Sequence, residues 1–271
     1  MHQYFDTTSF FRIKALHTAF QATYGADYYF GGESHDFWEI VIVTEGEIGV
    51  TAGKNVLYLR RGQAILHEPN EFHNVWSEKG HEAGLLIFTF SAGHLPPLPT
   101  RIFEVGDLAV PVNILTELCS SFQRHKGWIE GVREGCEQKA ELALKRLELF
   151  LLQTFFENEP QKAGTSLPQS AKHYADVVKF LEENLHRNLS LSEIAAACRM
   201  GEVNLKKIFS RYAGMGVIAY FNRLKIRAAV KLLGNGATVR EVSEALGFLN
   251  QNYFCTVFKR VMGKAPKNFK G

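Results

Sequence analysis

The 271-residue chain is 46% hydrophobic and 22% charged with a formal net charge of +3, the composition of a soluble globular protein and not of a disordered or fibrous one. No apolar run approaches the roughly 20 residues that cross a bilayer, and the opening "MHQYFDTTSFFRIKAL" lacks the basic-then-apolar order of a secretory signal, so a cytoplasmic protein with no membrane partner is expected. The four cysteines, Cys119, Cys136, Cys198 and Cys255, form no CxxC pair. That argues against a disulfide framework and a zinc knuckle, and fits a reducing compartment.

Residues 1–110 carry short apolar runs, "FWEIVIV", "NVLYL" and "GLLIFTF", separated by glycine, proline, asparagine and Glu-Gly turns. Short strands punctuated in this way read as a β-sandwich or barrel. From about 111 to 157 the rhythm becomes helical. The stretch "CEQKAELALKRLELFLLQTFFENE" sets Leu142, Leu149, Leu152 and Phe156 at helical spacing, an apolar stripe wide enough to pack on the β-region and on another helix. "NEPQKAGTSLPQS", with two prolines and a glycine, reads as a linker. From Ser170, read as a helix cap, the remainder is helical apart from short turns.

Charge divides at the same place. Residues 168–271 hold 17 Lys and Arg against 7 Asp and Glu, whereas residues 1–167 hold 14 against 21. A basic segment joined to an acidic one points to a polyanion as partner of the C-terminal part. This part also contains an internal repeat. Ile194-Ala195 precedes Cys198-Arg199-Met200 as Val242-Ser243 precedes Leu246-Gly247-Phe248. Leu205 and Phe209 then match Phe254 and Phe258, Gly214 matches Gly263, and Tyr220 matches Phe269. Anchors four apart share one helical face, so each copy reads as a short packing helix, a tight turn and a second helix with one exposed side. That is a helix-turn-helix, whose second helix enters the major groove. The amides Asn250-Gln251-Asn252 open the second helix of the second copy, where Asn and Gln can pair bidentately with adenine. A solenoid of protein-binding hairpins is the competing reading, but two copies are too few to support one.

With these motifs in view, residues 170–270 resemble the DNA-binding domain of the AraC/XylS transcription regulators. The match is carried by "LSLSEIAAACRMGEVNLKKIFSRYAGMGVIAYFNRLKIRAAVKLL" followed by "TVREVSEALGFLNQNYFCTVFKRVMGKAPKNF". The resemblance implies a long helix around "YFNRLKIRAAVKLL" that joins the two motifs and sets both recognition helices into successive major grooves, about 34 Å apart. It also implies base-facing residues Val203, Lys206 and Lys207 in the first motif and Gln251, Asn252, Tyr253 and Thr256 in the second. Arg211, Lys259 and Arg260 are then expected on phosphates. Three positions depart from the family pattern: Arg199 at a turn site that is often glycine, Gly201 at the usual cap site, and Thr256 where arginine is common.

The first half resembles a cupin-type barrel, the usual sensor of that family. "ESHDFWEIVIVTEGEIGV" supplies His35, Glu39 and Gly46 of the first cupin motif, and "LRRGQAILHEPNEFHNV" supplies Gly62, Pro69 and His73 of the second. Catalytic cupins hold a metal here; in this chain Glu33 replaces the first histidine, and the spacing around Pro69 is one residue short. The expectation is an emptied metal site that binds a small effector through His35, Phe37, Trp38, Glu39 and His73, with His35, Glu39 and His73 as the alternative ligand set for a divalent metal. His67 and His81 are read as strand-surface residues without a role.

The expected fold is multidomain α+β, with a cupin- or jelly-roll-like β-barrel and dimerisation helices, then an all-α domain of two helix-turn-helix motifs joined by a linking helix. Its parts are a cupin-like effector-binding and dimerisation domain (1–157), a linker (158–169) and the DNA-binding domain (170–271). The expected function is a sequence-specific, effector-responsive transcription regulator, an activator in family terms, and not an enzyme. It would need no cofactor, and its partners would be promoter half-sites in double-stranded DNA, a small effector such as a sugar, RNA polymerase and a second copy of the chain. The alternative is a metal-dependent cupin enzyme or oxygenase with a DNA-binding appendage.

Overall fold

The structure is a computed structural model that describes residues 11–78, 80–93, 95, 98, 101–156 and 167–268. The chain divides into two compact units: the first holds most of the residues up to 166, and the second is Leu167–Gly271 with two short pieces of the β-region. No helix among the described residues is long and apolar enough to cross a membrane.

In the β-region the strands are β1 (Ile13–Tyr24), β2 (Trp38–Glu45), β3 (Glu47–Ala52), β4 (Asn55–Arg60), β5 (Gln63–His67), β6 (His73–Ser77), β7 (Ala83–Ala92) and β8 (Ile102–Glu104). Then follow α1 (Ala109–Ser121), β9 (Phe122–His125), β10 (Trp128–Val132) and α2 (Glu137–Phe156). Hydrogen bonding sorts the strands into a seven-stranded sheet of order β8-β5-β2-β7-β1-β10-β9 and a three-stranded sheet of order β4-β3-β6. The neighbours in the larger sheet pair antiparallel.

Period-two alternation explains how this sheet carries helices. Ile40 and Ile42 of β2 and Leu86, Phe88 and Phe90 of β7 turn to one face, where they bury against Ile114 and Leu118 of α1 and Ala143, Leu147 and Leu151 of α2. Each fully buried side chain of this size contributes about 1.5–3 kcal/mol. Val41, Val43, Leu85 and Ile87, on the opposite face, are buried as well, which is why these runs read as nearly continuous hydrophobics.

One segment differs from the sequence reading. The span 111–157 was expected to be helical, yet a β-hairpin, β9–β10, interrupts it. Lys126 and Gly127, the two residues between the strands, have φ of 49° and 89°, the paired positive values that a tight type I′ hairpin requires. The hairpin extends the sheet through Thr18 and Trp128.

The second unit contains α3 (Gln169–Glu183), α4 (Leu191–Ala197), α5 (Glu202–Ala213), α6 (Val217–Gly234), α7 (Val239–Ala245) and α8 (Gln251–Met262). Ser190 with Glu193 and Thr238 with Glu241 form capping boxes that start α4 and α7, each satisfying two otherwise orphaned backbone donors. Gly214 and Gly263 end α5 and α8 in the left-handed conformation. Ser170 is not the cap it was read as. Helix α3 begins two residues earlier than that cap would set it, at Gln169 after Pro168, and the Ser170 hydroxyl instead hydrogen-bonds the Tyr212 hydroxyl at 2.8 Å.

The paired anchors on the second helix of each motif are interior. Leu205 and Phe209, like Phe254 and Phe258, are fully buried. Phe209 packs against Tyr174 and Tyr220, while Phe254 and Phe258 meet Ile226, Ala229 and Leu233 of α6. Helix α6 therefore serves the core of the second motif along one side. The expected linker at 158–169 falls outside the described residues except for its last three, as does Phe269.

Candidate nucleic-acid interface and ligand cluster

Helices α5 and α8 each present one solvent face, and the expected base- and phosphate-facing residues lie on it. On α5, Val203, Lys206, Lys207 and Arg211 are exposed while Leu205, Ile208, Phe209 and Tyr212 are buried. On α8, Gln251, Asn252, Tyr253, Thr256, Lys259 and Arg260 are exposed while Phe254, Val257 and Phe258 are buried. The 3.6-residue period sorts the two sets.

The three amides separate by role. Asn250 is the N-cap of α8, and its side-chain oxygen accepts the Tyr253 backbone N–H at 2.8 Å. Gln251 and Asn252 then stand in the first exposed turn. The Thr256 hydroxyl donates to the Asn252 carbonyl at 3.0 Å, which turns it back onto the helix.

Sequence reasoning missed Leu249, which is 74% exposed directly before the cap. An aliphatic side chain there suits a thymine methyl, as does Val203, 81% exposed on α5. The available signal was an apolar residue lodged between a tight turn and a polar cap, a place with no core to fill.

In the first unit, His35 and Glu39 come together where the chain enters β2. The His35 Nδ1 atom hydrogen-bonds the Phe37 carbonyl at 2.9 Å, and Nε2 lies 3.5 Å from the Glu39 carboxylate. Phe37 stacks on the His35 ring at 3.8 Å and lies tilted against the His17 ring at 4.5 Å, with Trp128 edge-on at 6.1 Å. One ligand atom from each of Glu33, His35, Glu39 and His73 lies within 4.8 Å of the others.

Register adds residues that the motifs did not reveal. Glu39 sits opposite His67 of β5 and Thr89 of β7, and Thr89 sits opposite Thr18 of β1, their hydroxyls 2.8 Å apart. A polar rung thus crosses the middle strands of the sheet. His67 is therefore not the surface residue expected of it: it is buried and lies 3.6 Å from the buried Glu71 carboxylate, which also pairs with Arg101. His81 is exposed. Trp38 departs from the expected set in the other direction, because alternation turns it away from Glu39 onto the helix-covered core.

The electrostatics follow from this crowding. Burial, and then the charge of Glu39, push the Glu33 carboxyl above its usual range. Burial works against protonation of His35, yet the Glu39 hydrogen bond and the Glu39 and Glu33 charges raise its pKa. Burial would likewise raise Glu71, but His67 and Arg101 hold it below the usual value. Burial lowers His17. Carboxylates, imidazoles and flat rings set this close can grip a small polar ligand by hydrogen bonds and stacking.

Two family models match the chain, a helix-turn-helix domain over residues 183–271 and an AraC-like ligand binding domain over residues 17–107. The thermoregulatory protein LcrF of Yersinia pestis is 25% identical over 230 residues, covering 78% of each chain. The HTH-type transcriptional activator RhaR of Pectobacterium carotovorum is 24% identical over 242 residues, covering 87% of this chain and 84% of its own. Among solved structures, fatty-acid-bound ToxT of Vibrio cholerae is similar over 98% of this chain and 96% of its own, at 14% identity and a TM-score of 0.37.

Proposed function

Because the chain belongs to the AraC/XylS family of DNA-binding transcription regulators with an N-terminal ligand-binding domain, we propose residue-level roles for both halves. Gln251, Asn252 and Tyr253 of α8, with Val203, Lys206 and Lys207 of α5, read base edges in successive major grooves. Leu249 adds an apolar contact, and Thr256 packs along the groove with its hydroxyl engaged. Arg211, Lys259 and Arg260 hold phosphates and set the salt dependence. The observation that carries this reading is the sorting of α8, where every side chain of that set is exposed and every hydrophobic anchor is buried. Selecting DNA from random fragments with the purified full chain tests it. Two half-sites are expected, and failure to enrich any sequence would end it.

The first half (1–157) is read as a cupin-like sensor, followed by a linker (158–169) and the DNA-binding domain (170–271). Its effector lies against His35, Phe37, Glu39 and His73, with His17, His67 and Trp128 as further neighbours. Trp38 supports the wall from behind. The mixture of carboxylates, imidazoles and stacked rings suits an effector with several donors and a flat apolar face, which includes sugars. Effector binding acts by its different affinity for two domain arrangements, one of which fits both half-sites and brings RNA polymerase into play as an activator does. The chain acts in the cytoplasm and does no catalysis of its own.

Homodimerisation is assigned to α2, where Leu142 and Leu149 are 62% and 56% exposed, seven residues apart on one stripe. Leu152 is half-buried against the core instead, and the Phe156 side chain lies outside the description. Leu142→Lys with Leu149→Lys is expected to give a monomer in sedimentation; a persistent dimer would move the interface elsewhere.

One observation favours a second reading of the sensor, namely the four ligand atoms of Glu33, His35, Glu39 and His73 within 4.8 Å. Two imidazoles and two carboxylates are a fitting donor set for a divalent transition metal. Such an ion would supply a Lewis-acidic anchor for an anionic effector. The residues themselves would then orient that ligand, with Phe37 stacked behind His35. Metal analysis of the purified chain decides between the readings: stoichiometric metal lost in a His35→Ala, His73→Ala variant favours this one.

A further inference from the structure

We infer that Lys225 is a positioning residue for DNA recognition, whose ammonium stakes the turn of the second helix-turn-helix to the α3–α4 loop and thereby sets the direction of α8. The inference rests on the DNA-binding reading above. Lys225 rises from the middle of α6 and is only 2% exposed. Its Nζ donates to the carbonyls of Arg187 at 2.7 Å, Leu246 at 2.7 Å and Gly247 at 3.4 Å. An ammonium has three protons, and here three acceptors meet them. The rings of Phe221 and Phe248 lie 4.7 and 5.0 Å from the same nitrogen, adding the attraction of a cation for an aromatic face.

The acceptors say what is being joined. Leu246 is the C-cap of α7, where carbonyls have lost their intrahelical donors and a cation is favoured. Gly247 is the turn itself, and Arg187 belongs to the loop between α3 and α4. Gly247 closes the same seam from its other side. It has φ +59°, and a Cβ on it would lie 2.1 Å from the His186 carbonyl oxygen. Backbone therefore meets backbone with no slack. Asn250, which caps α8, is three residues further on, so the placement of the turn passes directly to the helix turn that bears Gln251 and Asn252.

Burial lowers the Lys225 pKa to about 8, and the three carbonyls are what favour its charged form at neutral pH. Burial alone accounts for the shift. The titratable groups on the surrounding elements are His186 and Arg187 on the loop, Arg240, Glu241 and Glu244 on α7, Tyr253, Cys255, Lys259 and Arg260 on α8, and Tyr220, Arg223, Arg227 and Lys231 on α6 itself. Arg187 donates to Asn184 at 3.2 Å and Glu244 pairs with Arg240 at 2.9 Å. Because the folded pKa lies below the ordinary 10.5, the unfolded chain binds more protons between about pH 8 and 10.5. This group's contribution to stability therefore rises with pH across that window. DNA binding is expected to move the other way, since a neutral amine has two protons for three carbonyls and the turn loosens.

The experiment uses the full chain and the two-half-site DNA it selects. Lys225→Met is expected to lower affinity on the order of tenfold or more. Footprint protection should vanish over the half-site that Asn252→Ala also weakens and persist over the other, with Lys225→Arg restoring it. Wild-type affinity should fall as pH passes 8 while its helical circular dichroism is unchanged, and Lys225→Arg should show no such fall. Unchanged binding by Lys225→Met, equal loss at both half-sites, or a flat wild-type profile to pH 9.5 would overturn the inference. If Lys225→Met does not fold, the wild-type and Lys225→Arg profiles decide alone. A wild type that selects no DNA would instead overturn the reading beneath it.

Discussion

The two helix-turn-helix motifs share a backbone plan and differ in how firmly they hold it. In both, the turn is closed by the same pair of bonds: Arg199 N–H to Ala196 and Met200 N–H to Ala195 in the first, Gly247 N–H to Glu244 and Phe248 N–H to Ser243 in the second. Both central residues are left-handed, Arg199 at φ 52° and Gly247 at φ 59°. Glycine adopts this conformation freely, whereas arginine pays for its Cβ with roughly 1 kcal/mol. The caps differ in the same direction. Gly201 gives α5 no side-chain acceptor, while Asn250 gives one to α8. The second motif is thus fixed by glycine, a cap and the Lys225 stake, and the first carries strain. This matches what each presents. In the roles proposed for them, Gln251 and Asn252 would make bidentate amide-to-base contacts that demand an accurate frame, whereas Lys206 and Lys207 would reach with long, adaptable stems.

The contrast breaks most visibly at Gly247. Gly247→Ala puts a Cβ into the His186 carbonyl and into a disfavoured φ. A loss of about 3 kcal/mol or more in urea unfolding is expected, against a much smaller one, about 0.5–1 kcal/mol, for alanine at Gly201, where a Cβ meets nothing within 4 Å and only the poorer N-cap preference of alanine counts. A smaller effect lies at the caps. Asn250→Ala should cost about 1 kcal/mol, while Gly201→Asn should gain a few tenths. If both changes prove neutral by thermal melting, the caps do not distinguish the motifs. Smallest is the relief of strain: Arg199→Gly should stabilise by at most about 1 kcal/mol, and destabilisation would mean that the arginine side chain contributes more than its backbone costs.

Much of this contrast was legible in the sequence, and the reason is local. Turn glycines and anchors four apart are written within a few residues, so the repeat could be read directly, while the outward residues of α5 and α8 and the departures at Arg199 and Gly201 came from the family resemblance that the repeat carries. The ligand cluster was only half legible. His35, Glu39 and His73 stand in motifs, but His67, Thr89 and Thr18 join the site through strand register, which no single strand records. Trp38 was misassigned because adjacency in sequence places neighbours on opposite faces of a strand. The β9–β10 hairpin was hidden for a related reason: its strands are only four and five residues long, and β1, with which β10 pairs, lies more than a hundred residues away in the sequence.

The claim on which the rest depends is that the amides opening α8 read sequence, and one comparison tests it most directly. Affinities of the wild type, Gln251→Ala and Asn252→Ala would be measured on the selected site and on random DNA across a salt series. Each substitution should cost about 1–3 kcal/mol on the selected site and distinctly less on random DNA, with the salt slope unchanged because the phosphate contacts proposed for Lys259 and Arg260 would remain. Equal losses on both DNAs would contradict base reading by α8.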